Sequence, residues 1–406
     1  RLYVSGSAQP KLNQKNLNRI QIPLPPLNEQ RRLVAKIESL KARTARVKDS
    51  LSTIPALLDQ FRQSVLAAAF RGALTADWRE QNPDVEPADV LLEKIRVERH
   101  RKWKNKQYRN GKDPQKVNYK EAKIIIVENL PDIPNTWTWG SIEELGRVQL
   151  GRQRSPKNHS GPYMRPYLRA ANVFEDRIST SDILEMNFNP SEYETFKLEP
   201  GDILLNEGQS KELVGRPAIY RGEVPGSCFQ NTLVRFQAYE GLLPEYALVV
   251  FRGYMHNGRF QKIAQWTTNI AHLGASRFAE LEFPLPPEAE QIEIVNRVKS
   301  LFESINRFKA MYDANLKELE KLDQSILAQA FRGALVPQDP NDEPASVLLE
   351  RIRTEREKST GATPKRSKKS TDTSPSQTEK STGATKTLTN KSTPFKEAIQ
   401  MELELE

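Results

Sequence analysis

The chain has 406 residues, 37% of them hydrophobic, enough for two or three folding units with cores of their own. Its longest apolar run of note, Ile124-Ile125-Ile126-Val127, is strand-sized rather than membrane-sized, and the opening RLYVSGSAQP lacks a basic-then-apolar export pattern, so a cytoplasmic location is expected. The single cysteine, Cys228, excludes an internal disulfide, four scattered histidines form no zinc pattern, and a net charge of +9 leans towards a polyanionic partner without identifying one.

In chain order, the first strong signal is residues 23–74. They open with Pro23-Leu24-Pro25-Pro26-Leu27-Asn28-Glu29-Gln30 and close with Ser64-Val65-Leu66-Ala67-Ala68-Ala69-Phe70-Arg71-Gly72-Ala73-Leu74. Both pieces return in residues 284–335, as Pro284-Leu285-Pro286-Pro287-Glu288-Ala289-Glu290-Gln291 and Ser325-Ile326-Leu327-Ala328-Gln329-Ala330-Phe331-Arg332-Gly333-Ala334-Leu335. Gln30 to Gln291 and Ser64 to Ser325 are the same displacement of 261 positions, which marks an internal repeat with equal lengths between the blocks.

Those equal lengths carry heptads. Leu33, Ile37, Leu40, Thr44, Val47, Leu51, Ile54, Leu58, Phe61 and Val65 advance by steps of four and three. Ile294, Val298, Leu301, Ile305, Phe308, Tyr312, Asn315, Leu319, Leu322 and Ile326 keep the same frame. A 3.5-residue spacing holds one apolar seam on one side of a helix, and such a seam needs a partner. The sharper expectation pairs the two copies, Ile37, Leu40, Val47, Leu51, Leu58 and Phe61 packing with Val298, Leu301, Phe308, Tyr312, Leu319 and Leu322. Two separate amphipathic helices on different domains are the plainer alternative. Each helix should start after its proline block and stop at Arg71-Gly72 or Arg332-Gly333, where glycine allows a left-handed residue. Pro55 has no counterpart, because Leu316 fills its place, so the first copy should kink or restart there, with Ser52 or Thr53 available as a cap. About 33 helical residues would span roughly 50 Å, a spacer's length.

Residues 75–127 hold a short helix and linker. Glu86-Pro87-Ala88-Asp89-Val90-Leu91-Leu92-Glu93-Lys94-Ile95-Arg96 returns as Glu343-Pro344-Ala345-Ser346-Val347-Leu348-Leu349-Glu350-Arg351-Ile352-Arg353, a second short helix in residues 336–356. Residues 128–283 read as an α+β domain, with short apolar runs between Gly, Pro and Asn. Strands are expected at Arg165–Ala170, Asp202–Asn206, Pro217–Tyr220 and Thr232–Phe236, and helices at Leu243–Arg252 and Gly258–Gln265. Its loops are rich in arginine and amides, which can pair with guanine and adenine edges, and in lysine, which holds phosphates. The candidates are Arg152, Gln153, Arg154, Lys157, Asn172, Gln209, Lys211, Arg216, Gln230, Asn231, Arg235 and Asn269, against the plainer reading of solvated loops. Trp137 and Trp139 read as core anchors.

Catalytic signals are poor. The sequence has no G-x-x-x-x-G-K-[ST] phosphate cradle and no G-x-S-x-G elbow. Cys228 reads as a small buried hydrophobe rather than a nucleophile, and Asp202, Glu207 and Lys211 are too loosely spaced for a metal-dependent nuclease site. Residues 357–406 read as a disordered basic tail rich in Ser, Thr and Lys, in which Glu357–Thr363 recurs as Glu379–Thr385.

A proline block ending in Glu-Gln, then a long helix bearing S-[VI]-L-A-x-A-F-R-G-A-L, occurring twice around one domain, resembles the specificity subunits of Type I restriction-modification systems. Gly201-Asp202-Ile203-Leu204 after Pro200 also resembles a recurrent strand of their recognition domains. The resemblance covers about residues 10–356. It implies an α+β fold, a recognition domain between two long helices that pair as an antiparallel coiled coil. It also implies a non-catalytic subunit, each domain of which reads one half of a split target in double-stranded DNA. Two modification subunits and the restriction subunits would be its partners, with S-adenosylmethionine, ATP and Mg in those partners and no cofactor in this chain. Residues 1–22 stand where the resemblance calls for a whole first domain. Leu12–Ile22 matches Leu273–Phe283 at the same displacement, so a distal remnant and one half-site are expected. A coiled-coil adaptor that binds protein instead of DNA, and a stand-alone nuclease or methyltransferase, are the competing readings.

Overall fold

The computed structural model describes residues 13–360, with side chains to residue 358. The opening decapeptide and the second copy of the tail repeat, Glu379–Thr385, lie outside the described residues. The helices are α1 (Gln14–Leu17), α2 (Leu27–Leu51), α3 (Ile54–Phe70), α4 (Ala76–Gln81), α5 (Ala88–Arg109), α6 (Ile142–Leu145), α7 (Pro190–Phe196), α8 (Pro244–His256), α9 (Arg259–Ile263), α10 (Ala275–Ala279), α11 (Glu288–Phe331) and α12 (Ala345–Thr360). The strands begin with β1 (Thr138–Ser141), β2 (Gly146–Leu150), β3 (Met164–Leu168), β4 (Val173–Phe174), β5 (Arg177–Ile178), β6 (Leu184–Asn187) and β7 (Ile203–Asn206). They continue with β8 (Gly208–Gln209), β9 (Pro217–Ile219), β10 (Cys228–Phe229), β11 (Leu233–Ala238), β12 (Gln265–Trp266), β13 (Ala271–His272) and β14 (Glu282–Leu285). Among the described residues, no helix is long and apolar enough to cross a membrane.

Two units result, residues 29–340 and the flanking residues 1–28 with 341–406. In the flanking unit, Asn13 caps α1 by accepting a hydrogen bond from the Asn16 amide at 2.8 Å. The repeat displacement sets α1 against α10, yet the two copies differ in burial. Leu17, Ile20, Ile22 and Leu24 are exposed, whereas their counterparts Phe278, Leu281, Phe283 and Leu285 are core residues. Helix α12 runs to Thr360, past the expected boundary at residue 356.

In the larger unit α2 and α3 run antiparallel to α11. Thr44 donates to Asp323 at 2.8 Å, Arg62 to Asn306 at 2.7 Å and Thr75 to Glu290 at 2.6 Å, so one partner's number rises as the other's falls. Lys48 strengthens the first contact by an ion pair to Asp323 at 2.6 Å. Leu33, Thr44, Val65, Leu66 and Ala69 are buried on one side, and Ile294, Val298, Ile305 and Ile326 on the other. Of the twelve expected pairing residues, Val298 is buried, and Ile37, Leu40, Leu51, Leu58, Leu301, Tyr312 and Leu319 are half-buried. Val47, Phe61, Phe308 and Leu322 are exposed and flank the seam instead. Two helices alone cover a narrow stripe, and the break between α2 and α3 rephases the first copy across it.

That break falls at Ser52-Thr53, as Pro55 requires. Neither hydroxyl caps the restart: Thr53 makes no side-chain cap bond, and Ser52 donates back to the Asp49 carbonyl at 2.6 Å. Gly72 and Gly333 close the two helical copies with φ of 74° and 69°. Helix α11 is unbroken over 44 residues from the end of its proline block, so it spans about 66 Å against the expected 50 Å.

The domain is built on the antiparallel sheet β2-β11-β7-β9, with α8 beneath it. Phe251 of α8 meets Phe236 at 5.2 Å and Phe278 at 5.1 Å between ring centres, in edge-on geometry. The same core continues through Tyr246 and Tyr254 into Val65, Leu66, Ala69, Ile294 and Val298, so the domain is fused to the helix pair. The ends of the expected strands shift by at most two residues: β3 gives way to a 3-10 turn at Ala170–Asn172, and β11 extends to Ala238. The run Ile124–Val127 forms no regular structure, and Ile124 is 86% exposed. Helix α5 has 22 residues, twice the length of the repeated segment that starts it.

The repeated Glu-Gln pair has a structural explanation in the second copy. Glu290 is fully buried and accepts hydrogen bonds from Thr75, Arg79 and the Trp137 indole, the last at 2.8 Å. Gln291 donates to the Gly241 carbonyl at 3.0 Å and accepts from the Leu243 amide at 2.9 Å. One dipeptide thus fastens the spacer's start to the domain.

A second fastening is pH-sensitive. Glu175, on the turn between β4 and β5, meets Arg252 at 2.7 Å and His256 at 3.0 Å, both on α8. Arg252 also lies over the Phe302 ring of α11 at 4.6 Å. Burial alone would raise the Glu175 pKa, but the hydrogen bonds and charges of His256 and Arg252 outweigh it and hold the carboxyl at about 2. A carboxyl depressed in the folded state adds stability above its unfolded value, near 4.5, and that stability fades as pH falls towards 2. Melting temperatures from pH 7 to pH 2 should therefore fall less steeply in Glu175→Gln than in the parent chain; identical slopes would refute the assignment.

Candidate nucleic-acid interface

The sheet register brings the polar loops together. Leu150 ends β2 and Asn206 ends β7, while Pro217 begins β9 and Leu233 begins β11. Val234 pairs Leu150, Leu233 pairs Asn206 and Leu205 pairs Pro217, so residues 151–161, 207–216 and 230–232 all leave one end of the sheet. The β12-β13 hairpin joins the same end, because β13 pairs with β8 and the Leu273 amide donates to the Glu207 carbonyl at 2.7 Å. His272 and Glu207 meet at 3.0 Å and tie the hairpin down.

Gly151 is required at the root of the first loop. A Cβ there would lie 2.2 Å from the Gln230 carbonyl oxygen, against which the loop is laced by Arg152 N to Phe229 O and Asn231 N to Arg152 O. Beyond this root the side chains divide. Gln153, Arg154, Lys157, Lys211 and Asn269 are exposed, and Gln209, Gln230 and Asn231 are half-buried at the same end. Arg154 is steadied by His159 at 3.1 Å.

Four other candidates point inward, which differs from the sequence expectation. Arg152 pairs with Glu192 at 2.7 Å and lies over Phe188. Arg235, 2% exposed, donates to Gln149 and to the Lys197 carbonyl at 2.7 Å each and faces Asp202 at 3.3 Å. Burial lowers the Arg235 pKa and, outweighing the Arg235 charge, raises that of Asp202. Arg216 covers Phe174, and burial lowers its pKa. Asn172 is buried, its amide satisfied by Arg169 N, Ser179 O and Asp182 O. Composition marks such residues as base readers, but only partners distant in sequence decide which way they turn.

The structure adds two residues that sequence reading missed. Trp266 and Ile270 are exposed on the β12-β13 hairpin, on either side of Thr267-Thr268-Asn269. An aromatic among amides was the available signal, yet two-residue strands carry no periodicity to place it. Cys228 is buried, and burial pushes its thiol up to about 12, so it is no nucleophile at neutral pH. Asp202 and Glu207 are engaged by Arg235 and His272 rather than directed at a common point.

The helix pair thus carries a lobe whose polar loops are gathered at one end of its sheet. Residues 2–55 and 134–315, together more than half of the chain, match the family model described as Type I restriction modification DNA specificity domain, and the chain belongs to that family. It is 28% identical over 359 residues to the specificity subunit of the Type I restriction enzyme EcoKI of Escherichia coli, covering 86% of this chain and 67% of that one. With the EcoDI specificity subunit of Escherichia coli it shares 26% over 388 residues, covering 89% and 75%. A structure solved in work on the assembly and conformational transition of the Type I restriction-modification system superimposes with a TM-score of 0.55 at 20% identity, over 81% of this chain and 65% of that chain, and shows the shared fold. This chain therefore spans about two thirds of the length of the EcoKI subunit and of the superimposed chain.

Proposed function

We propose that the chain is a DNA-specificity subunit of a Type I restriction-modification assembly whose lobe reads one half of a two-part target. The observation that carries this reading is the convergence of exposed Gln153, Arg154, Lys157, Lys211 and Asn269 at one sheet end of a lobe fixed to a helical spacer. Arginine and amide side chains at such loops suit base edges, and the lysines suit phosphates. The subunit is non-catalytic. S-adenosylmethionine, ATP and Mg act in the modification and restriction subunits, which dock along the helix pair, where Val47, Phe61, Phe308 and Leu322 lie exposed.

The test is discrimination. Alanine at Gln153, Arg154 and Asn269 together should reduce the preference for target over scrambled duplex at least ten-fold, since each well-placed base contact is worth about 1–3 kcal/mol. Trp266→Ala should weaken target binding as well, by loss of apolar contact with the bases. Undiminished discrimination in the triple variant would refute the loop assignment, and no preference for target in the parent chain is what a protein-binding adaptor would give.

A further inference from the structure

A groove of about 620 Å³ lies between α5, the segment Asn118-Tyr119-Lys120 and the far end of the β2-β11 ribbon. It is lined by Arg99, Lys102, Lys106, Lys120 and Arg147 and by no carboxylate. By contrast, the cleft containing Glu175 and Arg252 mixes four carboxylates with four cations. Two of the five cations are committed to the walls. Arg99 donates to the Tyr119 hydroxyl at 2.7 Å, and Lys102 sits over the Tyr239 ring while pairing loosely with Glu98 at 3.6 Å. The aromatic side chains are occupied too, His100, Trp103 and Tyr119 packing on one another. Lys106, Lys120 and Arg147 remain exposed, and among the described residues no carboxylate lies within 4.0 Å of them.

The sequence around the groove is not shared by the repeat. The two copies agree from Glu86 to Arg96 and from Glu343 to Arg353, after which the first continues with ten Lys and Arg against three carboxylates up to Lys123. Along the ribbon, Arg147 pairs Gln237 at one end and Leu150 pairs Val234 at the other, where the base-reading loops begin. At about 3.4 Å per residue, the groove lies some 10–15 Å along the strand from those loops, about the rise of four base pairs.

We propose that this groove holds the phosphodiester backbone of duplex DNA beside the recognised half-site, with Lys106, Lys120 and Arg147 as sequence-independent phosphate contacts. An inference of backbone contact rests on the DNA-binding reading above, and goes beyond it in assigning affinity and recognition to different surfaces. Three exposed cations set around one groove, on α5, on the segment ending at Lys120 and on β2, suit phosphates, which are held without regard to base sequence.

The test measures the full chain on target and scrambled duplexes over a range of salt, in parent form and as Lys106→Ala/Lys120→Ala/Arg147→Ala. The triple variant should bind both duplexes about ten-fold or more weakly, keep its preference for target, and lose about 2–3 from the slope of log affinity against log salt. Lys106→Arg/Lys120→Arg/Arg147→Lys should restore the parent slope. An unchanged slope overturns the proposal even if the loops still discriminate, whereas a changed slope without any discrimination in the parent chain overturns only the base-reading assignment. Unaltered DNA binding with lost association to another subunit would assign the groove to an acidic protein surface instead.

Discussion

Replacing Glu290 by alanine is expected to destabilise the larger unit by about 3–5 kcal/mol, the range for removing one partner of a buried ionic cluster. The carboxylate is completely buried, and three donors from three separate segments converge on it: Thr75 after α3, Arg79 in α4 and Trp137 ahead of β1. Without it the Thr75 hydroxyl, itself fully buried, and the Trp137 indole lose their acceptor, and the Arg79 charge is left partly desolvated. For a unit of this size the melting temperature should drop by roughly 5–10 °C. Glu290→Gln should lie between the two, since it keeps an acceptor and loses the charge. The exposed pair Lys94–Glu86 offers the contrast, because Glu86→Ala should cost well under 1 kcal/mol. Equal melting temperatures for Glu290→Ala and Glu86→Ala would remove Glu290 from its place as the fastening between spacer and lobe.

Glu290 also shows what was legible in the sequence. The repeat exposed the Glu-Gln pair, since a displacement of 261 positions is read from letters alone. Its partners were not legible, because Thr75 and Trp137 lie 215 and 153 residues away and no local pattern links them to it. The helix pair was legible for the same reason as the repeat: heptads are local. The seam's membership was less so, because Ser52-Thr53 interrupts the frame, and Val47, Phe61, Phe308 and Leu322 fall outside the buried stripe. In the lobe, β7 and β9 were found from their apolar runs. The inward turn of Arg152 and Arg235 was not, since it depends on Glu192 and on Asp202 with Gln149, met only after the sheet has formed. The first copy adds a comparison inside one chain. Leu17, Ile20, Ile22 and Leu24 carry the same apolar pattern as Phe278, Leu281, Phe283 and Leu285, and only the latter are buried. Equivalent letters give different burial according to what packs against them.

Ile305→Asp should open the helix pair itself. Ile305 is 1% exposed at the middle of α11, close to the bond between Arg62 and Asn306 that ties α11 to α3. Truncating a buried isoleucine costs about 2–5 kcal/mol through lost contacts and the cavity left behind. A carboxyl in the same place must also be desolvated or drawn to the surface, which adds to the cost. Phe308→Asp, three residues on and 61% exposed, should change stability by less than about 0.5 kcal/mol, although both positions belong to the same heptad series. Cysteines placed at residues 62 and 306, joined by a short thiol-specific cross-linker, report the pairing directly, and Cys228 does not compete because it is buried with its thiol pushed up to about 12. Cross-linking should be retained with Phe308→Asp and largely lost with Ile305→Asp. If Ile305→Asp leaves both the cross-link and the melting temperature intact, the antiparallel seam is not what holds α11 to α3, and the lobe has no fixed spacer from which to present its loops.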